Sequence, residues 1–217
     1  VIDENIRRKI IAEDPNSTKV LKRYSIGDDV RNYVIQDSQR WLIFFPRGWT
    51  NKNRPRNATP WKWISREFPA IANHLEPFAR DASRRCDQGE YWWELRACSY
   101  YDAFERPKLV WPEIAKEPRF AYGSDSLFVN KTCFICPIDD KYLLGLLNSK
   151  VIWLFLKNTC SVLGDADKGG RLLQQKIYLE QVPIRKLDLS DKADKLRHDE
   201  MVAKVEAMLV AKKELGK

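Results

Sequence analysis

The two histidines of this chain, His74 and His198, are the only imidazoles available for acid/base work. His198 stands among charges early in a C-terminal helical pattern, the setting of a solvated or packing histidine. The carboxylate pairs Asp28-Asp29, Asp139-Asp140 and Glu113-Glu117 fall at turns or caps, where acids accept backbone N–H bonds instead of moving protons. Gly-x-Gly-x-x-Gly, Gly-x-x-x-x-Gly-Lys and His-Glu-x-x-His are all missing, so the usual nucleotide cradles and zinc-hydrolase helices are excluded. Cys133-Phe-Ile-Cys136 has metal-like spacing, yet it lies in an apolar strand-like run without a second Cys or His pair. With Cys86, Cys98 and Cys160 the cysteines form an odd, scattered set, which points to reduced thiols. No catalytic residue and no metal ligand is assigned.

Binding chemistry is better represented. Between Arg47 and Lys62 come Arg47, Lys52, Arg54, Arg56 and Lys62 with no acid among them, beside Gly48, Pro55, Pro60 and the rings Trp49 and Trp61. Proline and glycine keep such a stretch out of helix and strand interiors, and a loop on a rigid scaffold is the usual place for recognition side chains. Lysine and arginine can hold phosphates there, and an arginine can pair with a guanine edge. Arg47, Trp49, Lys52, Arg54 and Arg56 are therefore candidate DNA contacts, phosphate holders before base readers. A solvated charged loop is the equal alternative. A second candidate lies between Thr159 and Lys176, where Gly164, Gly169 and Gly170 adjoin Lys168 and Arg171. Asp165 and Asp167 weaken its field, and a plain surface loop explains it as well.

The whole-chain balance agrees with a polyanionic partner. Lys and Arg number 38 against 30 acids, the net charge is +8 and the isoelectric point is near 9.2. Eight tryptophans add flat rings, most of them expected in the core. No basic amphipathic N-terminus and no spanning apolar stretch is visible, so a membrane partner is not expected. Val1-Ile-Asp-Glu4 is no signal peptide, which predicts a cytoplasmic protein, and the start without methionine reads as mid-domain sequence of something longer.

These side chains need a scaffold, and the hydrophobic pattern predicts an α+β one. A helix is expected over Ile2–Ala12, a buried strand over Arg40–Phe45, and an amphipathic helix over Trp61–Ala82 interrupted near Pro69 and Pro77. Strands follow at Lys108–Trp111, Arg119–Tyr122, Leu127–Val129 and Thr132–Cys136. A helix over Lys141–Lys157 is apolar nearly all round and should be buried on the sheet. Ser190 is positioned to cap a C-terminal helix whose Met201, Val202, Val205, Met208, Leu209 and Leu215 form a stripe. That stripe needs a partner helix in this chain, in an absent part of the protein or in a second subunit, with Met201, Val205 and Met208 as its contacts. The predicted organisation is a recognition domain over residues 1–186, with a helical lead-in over 1–40, and an amphipathic helix over 187–217.

Lys108-Leu-Val-Trp-Pro-Glu-Ile114 followed by Phe120-Ala-Tyr122 resembles the TaqI-like C-terminal specificity domain of adenine-N6 DNA methyltransferases and single-chain, type IIG-like restriction-modification enzymes. Tyr142-Leu-Leu-Gly-Leu-Leu-Asn-Ser-Lys150 resembles that family's buried helix, Ile177-Tyr-Leu-Glu-Gln-Val-Pro-Ile184 its closing segment, and His198–Leu209 its trailing helix. Upstream, Val1-Ile-Asp3, Glu13-Asp-Pro15 and Ser25-Ile-Gly-Asp-Asp-Val-Arg-Asn-Tyr33 resemble the lead-in, and Trp92-Trp-Glu-Leu-Arg96 the midpoint. Their order along the chain carries the likeness. The resemblance implies a mixed-sheet module that recognises double-stranded DNA, and an upstream methyltransferase domain that uses S-adenosylmethionine through an Asn-Pro-Pro-Tyr type motif. It leaves open a nuclease domain, which would add magnesium. No asparagine here precedes a proline, so that chemistry lies outside these residues. The basic run from Arg47 to Lys62 departs from the family pattern. A protein–protein interaction module with an incidentally basic surface is the rival reading.

Overall fold

The computed structural model describes residues 1–123, 126–165 and 169–215. The chain forms two compact units, Val1–Tyr24 with Gln39–Tyr101, and Ser25–Ser38 with Asp102–Lys217. The class is α+β: antiparallel ladders, an isolated parallel bridge between Tyr33 and Ala121, packed helices and a long helix near the C-terminus.

In the first unit, β1 (Ile2–Asp3) and α1 (Glu4–Glu13) open the chain, and β2 (Leu21–Ser25) and β3 (Arg40–Ile43) follow. Strand β3 runs antiparallel to both β1 and β2, with Ile2 opposite Trp41 and Leu21 opposite Ile43. The helix expected from Ile2 starts two residues later because Asp3 takes the N-cap, its carboxylate accepting from the Ile6 N–H at 2.8 Å. Helices α2 (Trp49–Asn53), α3 (Pro60–Glu67), α4 (Pro69–Leu75) and α5 (Ala79–Ala82) complete the unit. Pro60 and Pro69 each begin a helix, where a missing N–H leaves nothing unsatisfied. Phe45, Trp63, Ile64, Phe68, Ile71 and Trp93 form the core. Each such buried apolar side chain contributes about 1.5–3 kcal/mol.

The second unit contains β4 (Lys108–Pro112), β5 (Ile114–Ala115), β6 (Ala121–Gly123), β7 (Leu127–Val129) and β8 (Cys133–Cys136). Then come α6 (Lys141–Leu147), α7 (Lys150–Thr159), β9 (Val162–Leu163), β10 (Arg171–Leu173), α8 (Lys176–Leu179) and α9 (Lys192–Leu215). Strand β4 is central, antiparallel to β6 and β8, with Leu109 opposite Tyr122 on one side and Cys136 on the other. All its residues are buried, as an interior strand requires. A second ladder sets β10 between β5 and β9.

Four sequence expectations are corrected by the structure. The helix expected over Lys141–Lys157 is two helices, because Ser149 turns extended and caps α7, its hydroxyl accepting from the Ile152 N–H at 3.2 Å. Asn148 fills the gap: its oxygen accepts from Asn32 Nδ2 and the Phe120 N–H, and its nitrogen donates to the carbonyls of Phe120 and Leu144. The expected burial fails on α7, whose Val151 and Leu154 are 75% and 61% exposed. The turn-rich stretch from Thr159 contains the hairpin strands β9 and β10. At the last helix Asp191, not Ser190, supplies the cap, accepting from the N–H groups of Ala193 and Asp194.

The stripe on α9 meets α6 of the same chain. Met201 and Val205 pack at Gly145, where a Cβ would stand 2.8 Å from both Met201 Sδ and Val205 Cγ2. Lys141 pairs with Glu206 at 2.6 Å, and the Tyr142 and His198 rings stack at 5.5 Å beside that contact. The helix partner for Met201 and Val205 is thus intramolecular, and Met208 is left 41% exposed.

Candidate functional site

The basic segment of the first unit is built around a buried anion. Glu94 is fully buried, and its carboxylate accepts main-chain N–H bonds from Gly48, Thr50 and Glu90, each at 2.9 Å. Charge-assisted bonds of this kind are about twice as strong as neutral ones, so three of them hold one carboxylate and one turn of backbone in a fixed geometry. Gly48 makes the entry turn with φ +78, a conformation that a side chain disfavours. Trp93 adds a bond from Nε1 to the buried Thr50 hydroxyl at 3.0 Å. Pro55 then ends α2 by forcing Arg54 extended.

On this frame the predicted contacts have different fates. Trp49 is a core ring, 5.0 Å from Phe45, 5.8 Å from Trp63 and 5.9 Å from Phe68 between centroids. Arg54 is committed to the loop itself. Its Nε donates to Asn51 Oδ1 at 2.9 Å, and its Nη1 donates to the carbonyls of Pro55, Arg56 and Ala58 at 3.2, 3.2 and 2.8 Å. Arg47, Lys52 and Arg56 are exposed, and among the described residues their side chains make no hydrogen bond or ion pair. Arg47 lines a cleft of about 420 Å³ with Pro46, Glu90, Cys98 and Tyr101. The segment expected as loop throughout therefore contains a short helix, and the acid missing from its sequence arrives in space as Glu90.

In the second unit, Lys168 lies outside the described residues. Arg171 is exposed at the start of β10, opposite Leu163, and lines a cleft of about 370 Å³ with Lys116, Arg119, Asn130 and Thr132. Gly164 and Gly169 adopt φ +87 and +75 on either side of the hairpin tip, the turn conformations their sequence positions suggest. Arg119 is paired with Glu117 at 3.0 Å.

Among the described residues no three His, Cys, Asp or Glu side chains gather as a metal cluster. Cys133 packs with Val30, Val110 and Ala121, and burial pushes its thiol up to about 12. Cys136 packs in the other core cluster of the unit and is likewise raised by burial. Burial also lowers His74, which leaves it neutral near pH 7.

Sequence reasoning missed Glu94, Glu90 and Asn51. The available signal was one charge between tryptophan and leucine in Trp92-Trp-Glu-Leu-Arg96, since a carboxylate in an apolar run is either exposed or fully hydrogen-bonded.

No curated protein matches the chain. Among solved structures, the type IIL restriction-modification enzyme MmeI, determined in complex with DNA, superposes with a TM-score of 0.65 at 14% identity, over 95% of this chain and 26% of that one. The chain thus spans about a quarter of that enzyme's length, and the likeness is one of fold. No helix among the described residues is long and apolar enough to cross a membrane. Residues 22–184, well over half of the sequence, match the TaqI-like C-terminal specificity domain, and the chain belongs to that family.

Proposed function

We propose that this chain is the double-stranded DNA recognition module of a cytoplasmic restriction-modification protein, reading sequence for a catalytic domain elsewhere in the same polypeptide. The observation that carries the reading is the segment Arg47–Arg56: exposed cations stand on backbone fixed by the buried Glu94 carboxylate. Loose lysines would bind any polyanion, whereas cations on a rigid frame can hold phosphates in one register and let neighbouring groups meet base edges. Arg47, Lys52, Arg56 and Arg171 are the phosphate contacts in this reading, with Arg54 bracing the loop. Family membership and the fold of a DNA-bound restriction-modification enzyme support it. The partner domain would be an adenine-N6 methyltransferase using S-adenosylmethionine, to which this chain would deliver one adenine for extrusion from the duplex. None of the residues described here is assigned to that cofactor. The rival interaction module loses its best argument, because the α9 stripe is occupied by α6.

The test is selection of bound duplexes from a randomised pool at two salt concentrations. An enriched short motif that survives added salt is the expected result, and uniform recovery that collapses with salt overturns the reading. In the same assay Lys52→Ala and Arg56→Ala should weaken all sequences alike and each reduce the slope of log affinity against log salt by about 0.9.

A further inference from the structure

Asn51 and Glu90 come together on the exposed side of the frame described above, although 39 residues separate them in sequence. Asn51 Nδ2 donates to Glu90 Oε2 at 2.6 Å, while Asn51 Oδ1 accepts from the Tyr91 hydroxyl at 2.8 Å and from Arg54 Nε at 2.9 Å. Arg54 Nε can only donate and a carboxylate can only accept, so the chemistry of the neighbours fixes which amide atom faces which way. The oxygen of Asn51 is fully used by two donors. One N–H of Nδ2 is left over, next to Glu90 Oε1, which has no partner among the described residues. Gly48 lies beside that oxygen, where a Cβ would meet it at ordinary van der Waals distance, 3.4 Å.

The result is one hydrogen-bond donor beside one strong acceptor, both exposed and both tied to a rigid base. In the major groove, adenine presents an N7 acceptor beside an N6 donor, guanine two acceptors, thymine an acceptor and a methyl, and cytosine a lone donor. An ionised carboxylate repels guanine O6 and thymine O4, and a lone amide donor finds no acceptor on cytosine. Among single bases only adenine satisfies both groups; a C·G pair could do so only by splitting the contacts between cytosine N4 and guanine O6. We propose that Asn51 and Glu90 together read one adenine of duplex DNA, and that Glu94 is their positioning residue. Glu94 takes the N–H of Glu90 itself and those of Gly48 and Thr50, which lead into Asn51, so both readers are referred to one buried carboxylate. The flanking Arg47, Lys52 and Arg56 would keep the acidic side chain beside a phosphate backbone. This inference rests on the DNA-recognition reading above.

The experiment uses the full chain and the duplex enriched by selection. Substituting 7-deazaadenine at the read position removes N7, and substituting purine removes the N6 amino group. Each should weaken wild-type binding about tenfold. Asn51→Ala should be insensitive to the first substitution, and Glu90→Gln should be insensitive to the second and admit guanine at that position. Glu94→Gln should relax preference at the same adenine while leaving the salt slope on non-cognate duplex unchanged, a separation that a merely structural role would not give. If wild type enriches a motif and the two surface variants Asn51→Ala and Glu90→Gln reproduce it at every position, the inference is wrong and DNA recognition stands. If wild type enriches nothing, the DNA-recognition reading falls and takes this inference with it.

Discussion

Among the described residues no cation pairs with the Glu94 carboxylate, which is held by three peptide N–H groups, while Arg85 Nη2 donates to the Glu94 main-chain carbonyl at 3.5 Å. A buried carboxylate so held is strongly favoured over its absence, because truncation orphans every donor at once. Glu94→Ala should destabilise the first unit by about 3–5 kcal/mol, read by urea denaturation, and a loss under about 1 kcal/mol would contradict the role given to it. At this scale the sequence was legible where chemistry is contiguous. The run of cations from Arg47 to Arg56 could be picked out by eye, and Arg47, Lys52 and Arg56 are exposed in the fold. It was illegible where chemistry is assembled at a distance: Gly48 and Glu94 lie 46 residues apart, and Asn51 and Glu90 lie 39 apart. Trp49 shows the converse, a ring whose neighbours Phe45, Trp63 and Phe68 make it core in a way that its basic surroundings concealed.

Elements depend on where helices stop and what they touch. Periodicity located β4, β7 and β8 and the amphipathic run that becomes α3 and α4, because one face of each is apolar at the right repeat. It merged α6 with α7, since Asn148 and Ser149 are helix-compatible until Asn32 and Phe120 supply the amide's other partners. The contact of α6 with α9 turns on Gly145, which lets Met201 and Val205 approach the helix backbone. Gly145→Leu should cost about 2–3 kcal/mol through overpacking, despite the better helix propensity of leucine. Adding Met201→Ala should recover part of that loss, and a double-mutant cycle on thermal denaturation measures the coupling. Strict additivity of the two changes would show that α9 does not rest on α6 at this point.

Across the molecule, acid acts on several carboxylates in the same sense. Asp194 is held below the usual range by the Asp188 N–H and by Arg197 and Arg185; Asp199 is held low by Lys195; Asp188 is held low by Ser190. A carboxyl lowered on folding adds stability above its ordinary value of 3.8 and loses it as the pH falls through the lower, folded value. The second unit should therefore be insensitive to pH near neutrality and soften below pH 3.8, with helical circular dichroism falling as α9 loses its first turn. Asp194→Asn should weaken that acid response while leaving the neutral-pH spectrum intact, and an unchanged titration would contradict the assignment. The order of the chain has a further consequence for anyone building hybrids from relatives. Residues Ser25–Ser38 belong to the second unit but are threaded between two stretches of the first. Val30 is fully buried with Val110 and Ala121, and Asn32 is bonded to Asn148. A transplant that begins at Asp102 would arrive without a piece of its own interior, so exchanging this unit calls for two inserts, and one splice point leaves an open seam.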